Sequence, residues 1–233
     1  MAKSLRFRFS RGEGLKYLAH LDILRVFERA LKRSGLNVSY TQGFNPRQRL
    51  VFGLPMSIGL TSEAEYADIV LEEDVTPEYF IETLNRSLPE GIRLHEAVEL
   101  NNKENIMNQI AAARYIVPFE TSEDISQEEM ENLIYRMLSK EEILVEKKTK
   151  KGMRQTNIRQ MIYSISATKK GSGIFELEAF LSAGAESNLR ADLLMEAIKK
   201  ETGLDIRVIS IHRKALYAST FNEWKNPLEV ANA

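Results

Sequence analysis

The stretch from Tyr17 to Glu65 reads YLAHLDILRVFERALKRSGLNVSYTQGFNPRQRLVFGLPMSIGLTSEAE, and it decides the fold of the N-terminal half. Apolar residues recur there at three- and four-residue steps, which is the spacing of one helix face. The pattern predicts a helix from about Leu18 to Ser34, with Gly35 as its C-terminal cap. The predicted buried stripe of that helix consists of Leu21, Leu24, Phe27 and Leu31.

The remainder of the stretch predicts a turn followed by a strand. Residues 43–46, GFNP, are turn-forming residues. The apolar run from Leu50 to Leu60 is interrupted by two glycines and a proline, which indicates a bent or edge strand. Alternating residues from Leu5 to Phe9 predict a strand before the helix.

The chain outward from this stretch repeats one order of elements. A strand, a helix opened by Thr76 and Pro77, and a closing strand complete β-α-β-β-α-β, the ferredoxin-like order. A polar linker, Asn101 to Gln109, precedes a second series of the same kind, in which Ser126 and Glu129 form a capping box. We therefore predict an α+β protein of two tandem ferredoxin-like αβ sandwiches with antiparallel sheets. The predicted domains are residues 1–104, residues 110–218 with a basic loop, and a tail, residues 219–233.

Composition excludes several kinds of chemistry. The 233 residues include 43% hydrophobic residues, enough for a core, and no cysteine. Disulfides, thiolate zinc sites, a catalytic thiol and cysteine-ligated clusters carried by this chain are thereby excluded. No HxH or HxxxH spacing exists, so we expect neither a metal nor a cofactor. Without a signal-like N-terminus or a membrane-length apolar run, we expect a cytoplasmic protein without membrane contact.

Positive charge is unevenly distributed behind a net charge of only -1. The segment from Lys147 to Phe175 contains no acid, and Glu28 is the only acid between Arg25 and Thr61. Basic surfaces of this kind can follow a phosphate backbone. The alternative is that they are ordinary solvated surface. The cations considered for phosphate binding are Arg25, Arg29, Arg49, Lys147, Lys148, Lys150, Lys151, Arg154 and Arg159.

Other residues are candidates for substrate contact or chemistry. His20, at the helix start, is the candidate general acid or base, and the alternative is a core histidine that pins the helix. Tyr40, Gln42 and Asn45 surround a turn glycine and could stack on a base and contact its edge, or simply cover the core. Two further candidates are Glu63, whose carboxylate could close that site, and Asn157, which could bind phosphate.

The motif string HLDILRVFERALKRSGL, YTQGFNPR, FGLP, IGL and SEAEYAD resembles a bacterial family, the radical-SAM-linked proteins. The lysine-rich KKTKKG segment and a later helix with Asp192 also resemble that family. The characteristic positions that match are His20, Asp22, Arg25, Arg29, Gln42, Gly43, Asn45, Pro46, Gly53, Pro55, Glu63 and Asp68. The resemblance implies a protein encoded beside, or fused to, a radical-SAM enzyme. At the level of fold, the pattern also resembles CRISPR-type RNA-processing endonucleases, although Gly171 and Gly173 are too few for the glycine-rich loop of that family.

Three functions remain open. The first is a non-catalytic partner of a radical-SAM enzyme that binds RNA or presents the substrate, in RNA modification. The second is a metal-independent RNA-processing or RNA-modifying enzyme that uses His20. The third is a protein-interaction scaffold that binds no nucleic acid.

Overall fold

The computed structural model describes residues 2–102, 104–149, 152–220 and 223–232, without the side chains of 148, 149 and 232. The chain divides into two units: unit 1 comprises Met1–Ala112 and Arg213–Ala233, and unit 2 comprises Ala113–His212. Residues 213–218, which the sequence assigned to the second domain, thus belong with the N-terminal unit. Residues 110–112 and the predicted tail also belong to unit 1, and the predicted domains stay a prediction.

The chain contains five α-helices and twelve strands in the described ranges. Those of the first half are β1 (Lys3–Arg11), α1 (His20–Ser34), β2 (Leu50–Phe52), β3 (Leu60–Leu71), α2 (Pro77–Asn85), β4 (Ile92–Glu99), α3 (Ile106–Gln109) and β5 (Ile110–Thr121). Those of the second half are α4 (Gln127–Leu138), β6 (Leu144–Thr149), β7 (Gly152–Asn157), β8 (Ile162–Gly171), β9 (Ile174–Ser182), α5 (Ala191–Thr202), β10 (Ile206–Val208), β11 (Ile211–Thr220) and β12 (Glu223–Lys225).

The sheet of unit 1 has the strand order β4-β1-β3-β2. All three pairings in that order are antiparallel. β11 also pairs with β3, and β12 pairs with β11. Arg6 stands directly opposite Asp68, and Val51 stands opposite Asp68 from the other side. The register therefore places these polar and apolar side chains on one face of the sheet, because residues paired across strands share a face.

The opposite face of this sheet carries the core of unit 1. Phe7, Phe9 and Phe27 pack there in tilted and edge-to-face contacts, with ring centroids 5.0–6.0 Å apart. Phe52 and Phe80 extend the same cluster. Aromatic pairs in such geometries are stabilising beyond the apolar area that they bury.

The apolar face of α1 differs from the predicted stripe. Ile23, Phe27 and Leu31 are buried, whereas Leu21 is 62% exposed. The prediction for Leu21 is wrong because the core is reached through Ile23, and a residue two positions earlier points about 200° away around the helix. The helix begins at His20, two residues later than predicted, and Gly35 ends it in the left-handed conformation as predicted.

The C-terminal segment is hydrogen-bonded to the segment between β4 and α3. Asn102 Nδ2 donates to the carbonyl of Val230 at 2.6 Å, and the amide of Asn101 donates to the carbonyl of Ala231 at 3.1 Å. Asn102 and Asn101, which the sequence indicated to be linker, therefore hold residues of the predicted tail.

Unit 2 has the strand order β10-β5-β9-β8, with β6 and β7 in a separate two-stranded sheet. The capping box of α4 is confirmed, because Ser126 and Glu129 make both of its hydrogen bonds. The predicted strand from Ile158 begins only at Ile162, after a 3-10 turn. The predicted closing strand from Ile206 to Tyr217 is two strands, β10 on β5 and β11 on β3.

The α+β class with a mostly antiparallel sheet is confirmed. If the four strands β1–β4 of unit 1 and β5, β8, β9 and β10 of unit 2 are numbered along the chain, both sheets have the order 4-1-3-2. Unit 1 also contains β11, and unit 2 also contains the β6–β7 sheet. Two tandem ferredoxin-like sandwiches therefore stay a prediction. No helix in the described ranges is long and apolar enough to cross a bilayer.

Candidate functional site

The loop from Tyr40 to Arg49 projects from unit 1 with its base held closed. An isolated bridge pairs Tyr40 with Gln48. The amide of Thr41 donates to the carbonyl of Arg47 at 2.8 Å, and the amide of Arg47 donates to Thr41 Oγ1 at 3.0 Å. These hydrogen bonds run in both directions across the base of the loop, so they fix the backbone conformation of the base.

The tip of this loop exposes an aromatic ring and two amide side chains. Gly43 has φ of 127°, a backbone conformation that residues with a Cβ rarely adopt, and this explains the glycine at the turn. Phe44 is fully exposed, and Gln42 and Asn45 are exposed beside it in sequence. Tyr40 is 40% exposed at the base of the loop. The structure thus brings the predicted Tyr40, Gln42 and Asn45 into one loop.

Two arginines of the same loop have exposed side chains that can bind an anion. Arg47 and Arg49 are exposed, and within the described part of the chain neither side chain makes an ion pair or hydrogen bond. The carbonyl of Arg49 accepts from the amide of Val70 at 3.0 Å, which anchors this end of the loop on β3. Unpaired arginines next to an exposed ring are typical of anion-binding surfaces.

A cavity of about 650 Å³ lies beside the loop, on the face of the unit 1 sheet opposite the phenylalanine core. Its walls come from the loop, from β2 and β3, and from the segment that follows β4. The lining residues are Ser4, Thr41, Arg47, Gln48, Arg49, Leu50, Val51, Asp68, Ile69, Val70, Leu100, Asn102, Glu104 and Asn105. Of the predicted site residues, Arg49 lines this cavity.

A buried ion pair lies next to this cavity, and its Asp68 is one of the lining residues. The guanidinium of Arg6, which is fully buried, donates to both carboxylate oxygens of Asp68 at 2.7 and 2.9 Å. The same guanidinium donates to Gln109 Oε1 at 2.6 Å and to the carbonyl of Pro227 at 3.0 Å. Asp68 therefore has a structural partner for each oxygen, which accounts for its place in the motif string.

The predicted cations of α1 are not part of the cavity. Arg25 is exposed and forms an ion pair with Asp22 at 3.2 Å, one helical turn away. Arg29 is exposed on the same helix. Neither residue is among those that line the cavity. Their role in phosphate binding stays a prediction.

His20 is packed against the core. Its ring meets Phe52 edge-on with centroids 5.5 Å apart, and its Nδ1 is buried without a hydrogen-bond partner in the described chain. Burial lowers the pKa of His20, and the Glu65 carboxylate partly opposes that shift. This geometry agrees with the alternative of a core histidine, and a catalytic role of His20 stays a prediction.

A network of buried charges surrounds the start of α1. Both Glu65 and Arg213 are nearly inaccessible, and Arg213 Nη1 donates to the two oxygens of Glu65 at 2.6 and 2.8 Å. Arg11, also buried, donates to the carbonyls of Leu15, Lys16, Leu18 and Ser57. Burial lowers the pKa of Arg11, while Glu65 raises it and Arg213 lowers it further. The network therefore fixes the turn from which His20 begins the helix.

Glu63, the predicted carboxylate of the substrate site, is paired with a lysine. Its carboxylate forms an ion pair with Lys214 at 2.6 Å, and Glu63 does not line the cavity. The prediction that Glu63 closes the substrate site is not tested by this arrangement.

The lysine-rich segment forms the β6–β7 hairpin of unit 2. Lys147 stands opposite Arg154 in the register of that hairpin, and Arg154 is exposed. Lys150 and Lys151 lie outside the described residues, as does the side chain of Lys148. The hairpin is thus a basic two-stranded element separate from the main sheet.

Two predicted phosphate ligands near this hairpin make hydrogen bonds to the backbone, and their role in phosphate binding stays a prediction. Asn157 Oδ1 accepts from the amides of Ile143 and Arg159 at 3.1 and 3.0 Å. Arg159 Nε donates to the carbonyl of Leu138 at 2.7 Å. Asn157 therefore binds the residue that precedes β6, and Arg159 binds the last residue of α4.

Sequence reasoning missed the wall of the cavity after β4. Asn102, Glu104 and Asn105 were part of a segment assigned as linker on the strength of its polar composition. Arg47 lies in the basic run but is not among the predicted site residues. Only Asn105 carried a local signal, since it caps the short helix α3. Within the described ranges, no three histidine or acidic side chains group so as to hold a metal ion.

Comparison with solved structures shows similarity at low sequence identity, and one of the three alignments has a TM-score above 0.5. A chain of a Cbf5–Nop10–Gar1 complex aligns with a TM-score of 0.51, 8% identity, and coverage of 91% of this chain and 47% of that chain. A chain of the archaeal box H/ACA sRNP Nop10–Cbf5 complex gives a TM-score of 0.48, 8% identity, and coverage of 90% and 46%. A chain of an H/ACA RNP bound to a substrate RNA containing 2'-deoxyuridine gives 0.47, 8% identity, and coverage of 91% and 46%. This chain therefore spans less than half the length of these structural relatives.

No curated protein matches the sequence. A family model described as "Uncharacterized protein conserved in bacteria (DUF2344)" matches residues 4–191, a range that contains the whole motif string and the basic hairpin. The chain therefore belongs to this bacterial family, DUF2344.

Proposed function

We propose that this chain binds RNA and presents it to a radical-SAM enzyme during RNA modification, without catalysing a reaction itself. The observation that carries the proposal is the loop from Tyr40 to Arg49, which exposes Phe44 fully and leaves Arg47 and Arg49 without ion pairs among the described residues. The radical-SAM partner is what the motif resemblance implies.

The loop matches single-stranded RNA in its chemistry. Bases that are unstacked in loops and bulges can stack on aromatic rings, and arginines beside them can bind the phosphates. Phe44 offers such a ring at the tip of a loop whose base is closed by hydrogen bonds, so little ordering is needed on binding. Gln42 and Asn45 add amide donors and acceptors for base edges.

The β6–β7 hairpin supplies a second basic surface, on unit 2. Lys147 and Arg154 stand opposite each other there, and the sequence from Lys147 to Phe175 contains no acid. A surface of this kind adds sequence-independent, salt-sensitive affinity for a phosphate backbone.

The test is fluorescence anisotropy with a structured RNA pool across a salt series. Phe44→Ala is expected to weaken binding by about 5- to 150-fold, because one base–aromatic stack contributes about 1–3 kcal/mol. The double variant Arg47→Ala/Arg49→Ala is expected to reduce the salt slope by about 1.4, since each phosphate contact on a single strand contributes about 0.7. Replacing Lys147, Lys148, Lys150 and Lys151 with alanine should reduce the slope further.

Matched controls are an exposed aromatic residue of α2 and the exposed arginine that caps the C-terminus of this helix. Tyr79 is 55% exposed, and the side chain of Arg86 is 75% exposed. Tyr79→Ala and Arg86→Ala should leave RNA binding unchanged. The proposal would be rejected if the parent protein bound no RNA at low salt, or if Phe44→Ala behaved like Tyr79→Ala.

A protein-interaction scaffold is the second candidate, and one observation favours it. Tyr17, Leu21 and Ile58 are 72%, 62% and 65% exposed around the start of α1, where the amide of Gly59 donates to the carbonyl of Lys16 at 2.6 Å. Exposed apolar side chains of this size mark many protein interfaces. A protein that shows no RNA affinity at low salt would favour this function over the first.

A further inference from the structure

The cavity beside the loop has the size of a ligand site, and its two walls differ in charge. Its volume of about 650 Å³ falls within the range of small-molecule pockets, about 300–1,000 Å³. Arg47 and Arg49 form the basic wall. The segment after β4, with Glu104, forms a wall rich in oxygen acceptors.

The floor of the cavity is largely apolar. Val51 and Val70 are half-buried on β2 and β3, and Leu100 completes the floor. Branched aliphatic side chains on a sheet form an even surface against which a planar heteroaromatic ring can lie. A ligand with a ring and an anionic group therefore matches the floor and the basic wall together.

Two carboxylates line the cavity, Asp68 and Glu104, and Glu104 is the one that can accept hydrogen bonds from a ligand. The oxygens of Asp68 both accept from Arg6, at 2.7 and 2.9 Å. Glu104 Oε2 accepts from Gln109 Nε2 at 3.0 Å, and its Oε1 accepts no hydrogen bond within the part of the chain that the structure describes. The amide of Glu104 donates to Asn102 Oδ1 at 3.2 Å, which holds the backbone of this wall in place.

A carboxylate on this wall discriminates between nucleobases. Guanine places two N–H donors side by side, N1–H and the N2 amino group, and both can donate to one carboxylate. Adenine and cytosine place an acceptor nitrogen next to the amino group, and uracil has one N–H between two carbonyls. In those three bases an acceptor would face the oxygens of Glu104, which is unfavourable.

We propose that this cavity binds a guanine nucleotide, with its phosphate at Arg47 and Arg49 and its N1–H and N2–H edge at Glu104. This inference rests on the proposed function and names the nucleotide that the site recognises. The guanine could belong to an RNA strand or to a free nucleotide, because both carry the same base edge and phosphate.

The decisive comparison is guanosine monophosphate against inosine monophosphate, which differ only in the N2 amino group. Isothermal titration with the full chain is expected to show inosine monophosphate weaker by about 10-fold or more, the effect of losing a hydrogen bond to a charged acceptor. Glu104→Gln should reduce that ratio to within about 3-fold, and Arg49→Ala should weaken both nucleotides equally. Glu90→Gln, on an exposed acid outside the cavity, is the matched control.

The same comparison in a short single-stranded RNA, with one guanosine replaced by inosine, separates the two sources. Discrimination in the RNA alone supports an RNA guanosine, and discrimination in the mononucleotides alone supports a free nucleotide. The guanine site is overturned if the guanosine and inosine forms bind equally, both as mononucleotides and within the RNA. RNA binding that depends on Phe44 would still support the proposed function in that case. Absence of all RNA binding overturns the proposed function instead.

Discussion

Removing the carboxylate of Glu65 is expected to destabilise unit 1 strongly, and more than removing its partner Arg213. The side chains of Glu65 and Arg213 are only 2% and 3% exposed, and two hydrogen bonds of 2.6 and 2.8 Å join them. The perturbations are Glu65→Leu, Arg213→Met and the double variant, which replace charge with apolar side chains of similar size.

The magnitude follows from the burial and from the position of Arg11. Breaking a buried ion pair by removing one partner costs about 3–5 kcal/mol. Glu65→Leu leaves the buried guanidiniums of Arg11 and Arg213 without this carboxylate, whereas Arg213→Met leaves Glu65 with Arg11 nearby. We therefore expect about 5 kcal/mol for Glu65→Leu and about 3 kcal/mol for Arg213→Met. The double variant should be less destabilised than Glu65→Leu alone.

Urea denaturation is the assay, followed by circular dichroism and by the fluorescence of Trp224, the only tryptophan of the chain. Trp224 lies on β12, which pairs with β11 in unit 1, so its signal reports on that unit. In a thermal scan the single variants should lose roughly 6 to 20 °C. Glu82→Gln, which breaks an exposed pair with Arg86, should cost about 0.5 kcal/mol. Single variants as mild as this control, or a double variant equal to the sum of the singles, would refute the reasoning.

Three further predictions concern stability in the two units. Because burial lowers the pKa of His20 below its ordinary 6.5, the unfolded chain binds a proton more readily, so stability should be complete above about pH 6.5 and fall as the pH drops. His20→Phe should flatten that fall in urea melts between about pH 7 and 5, and an unchanged pH profile would contradict it. Ser126→Ala should cost unit 2 about 1 kcal/mol by removing the cap of α4, and a urea midpoint equal to the parent's would contradict it. Gly173 and Gly203 both have positive φ, and Gly203→Ala should cost ~1–2 kcal/mol of stability. Gly173→Ala should cost more, because the Cβ of the alanine would lie 2.9 Å from the Thr121 carbonyl oxygen. Equal urea midpoints for the two variants would count against this.

Local signals in the sequence predicted the helix caps and the order of elements well. Gly35 and Ser126 act over one turn of chain, so their effect can be inferred from neighbouring residues. The α+β class follows from the same periodicities. The phase of α1 was harder, because Leu21 and Ile23 are equally apolar and only the packing decides which one is buried.

The buried charges and the cavity could not be predicted in this way. Glu65 and Arg213 are 148 residues apart, and Arg6 and Asp68 are 62 apart, so neither pair leaves a local pattern. Each of these residues is indistinguishable in sequence from a surface charge. The loop from Tyr40 to Arg49 was found because turn residues and aromatics occur together, but its opposing wall is a polar segment whose composition indicates a linker.

The hydrogen bonds from Asn101 and Asn102 to the C-terminal segment have a consequence for synthesis on the ribosome. Together with the bond from Arg6 to the carbonyl of Pro227, they join the beginning and the end of the chain within unit 1. Unit 2 is continuous, and all of its residues are translated before Arg213 is reached. The nascent chain can therefore complete unit 2 before unit 1, because unit 1 also needs residues that are translated after unit 2.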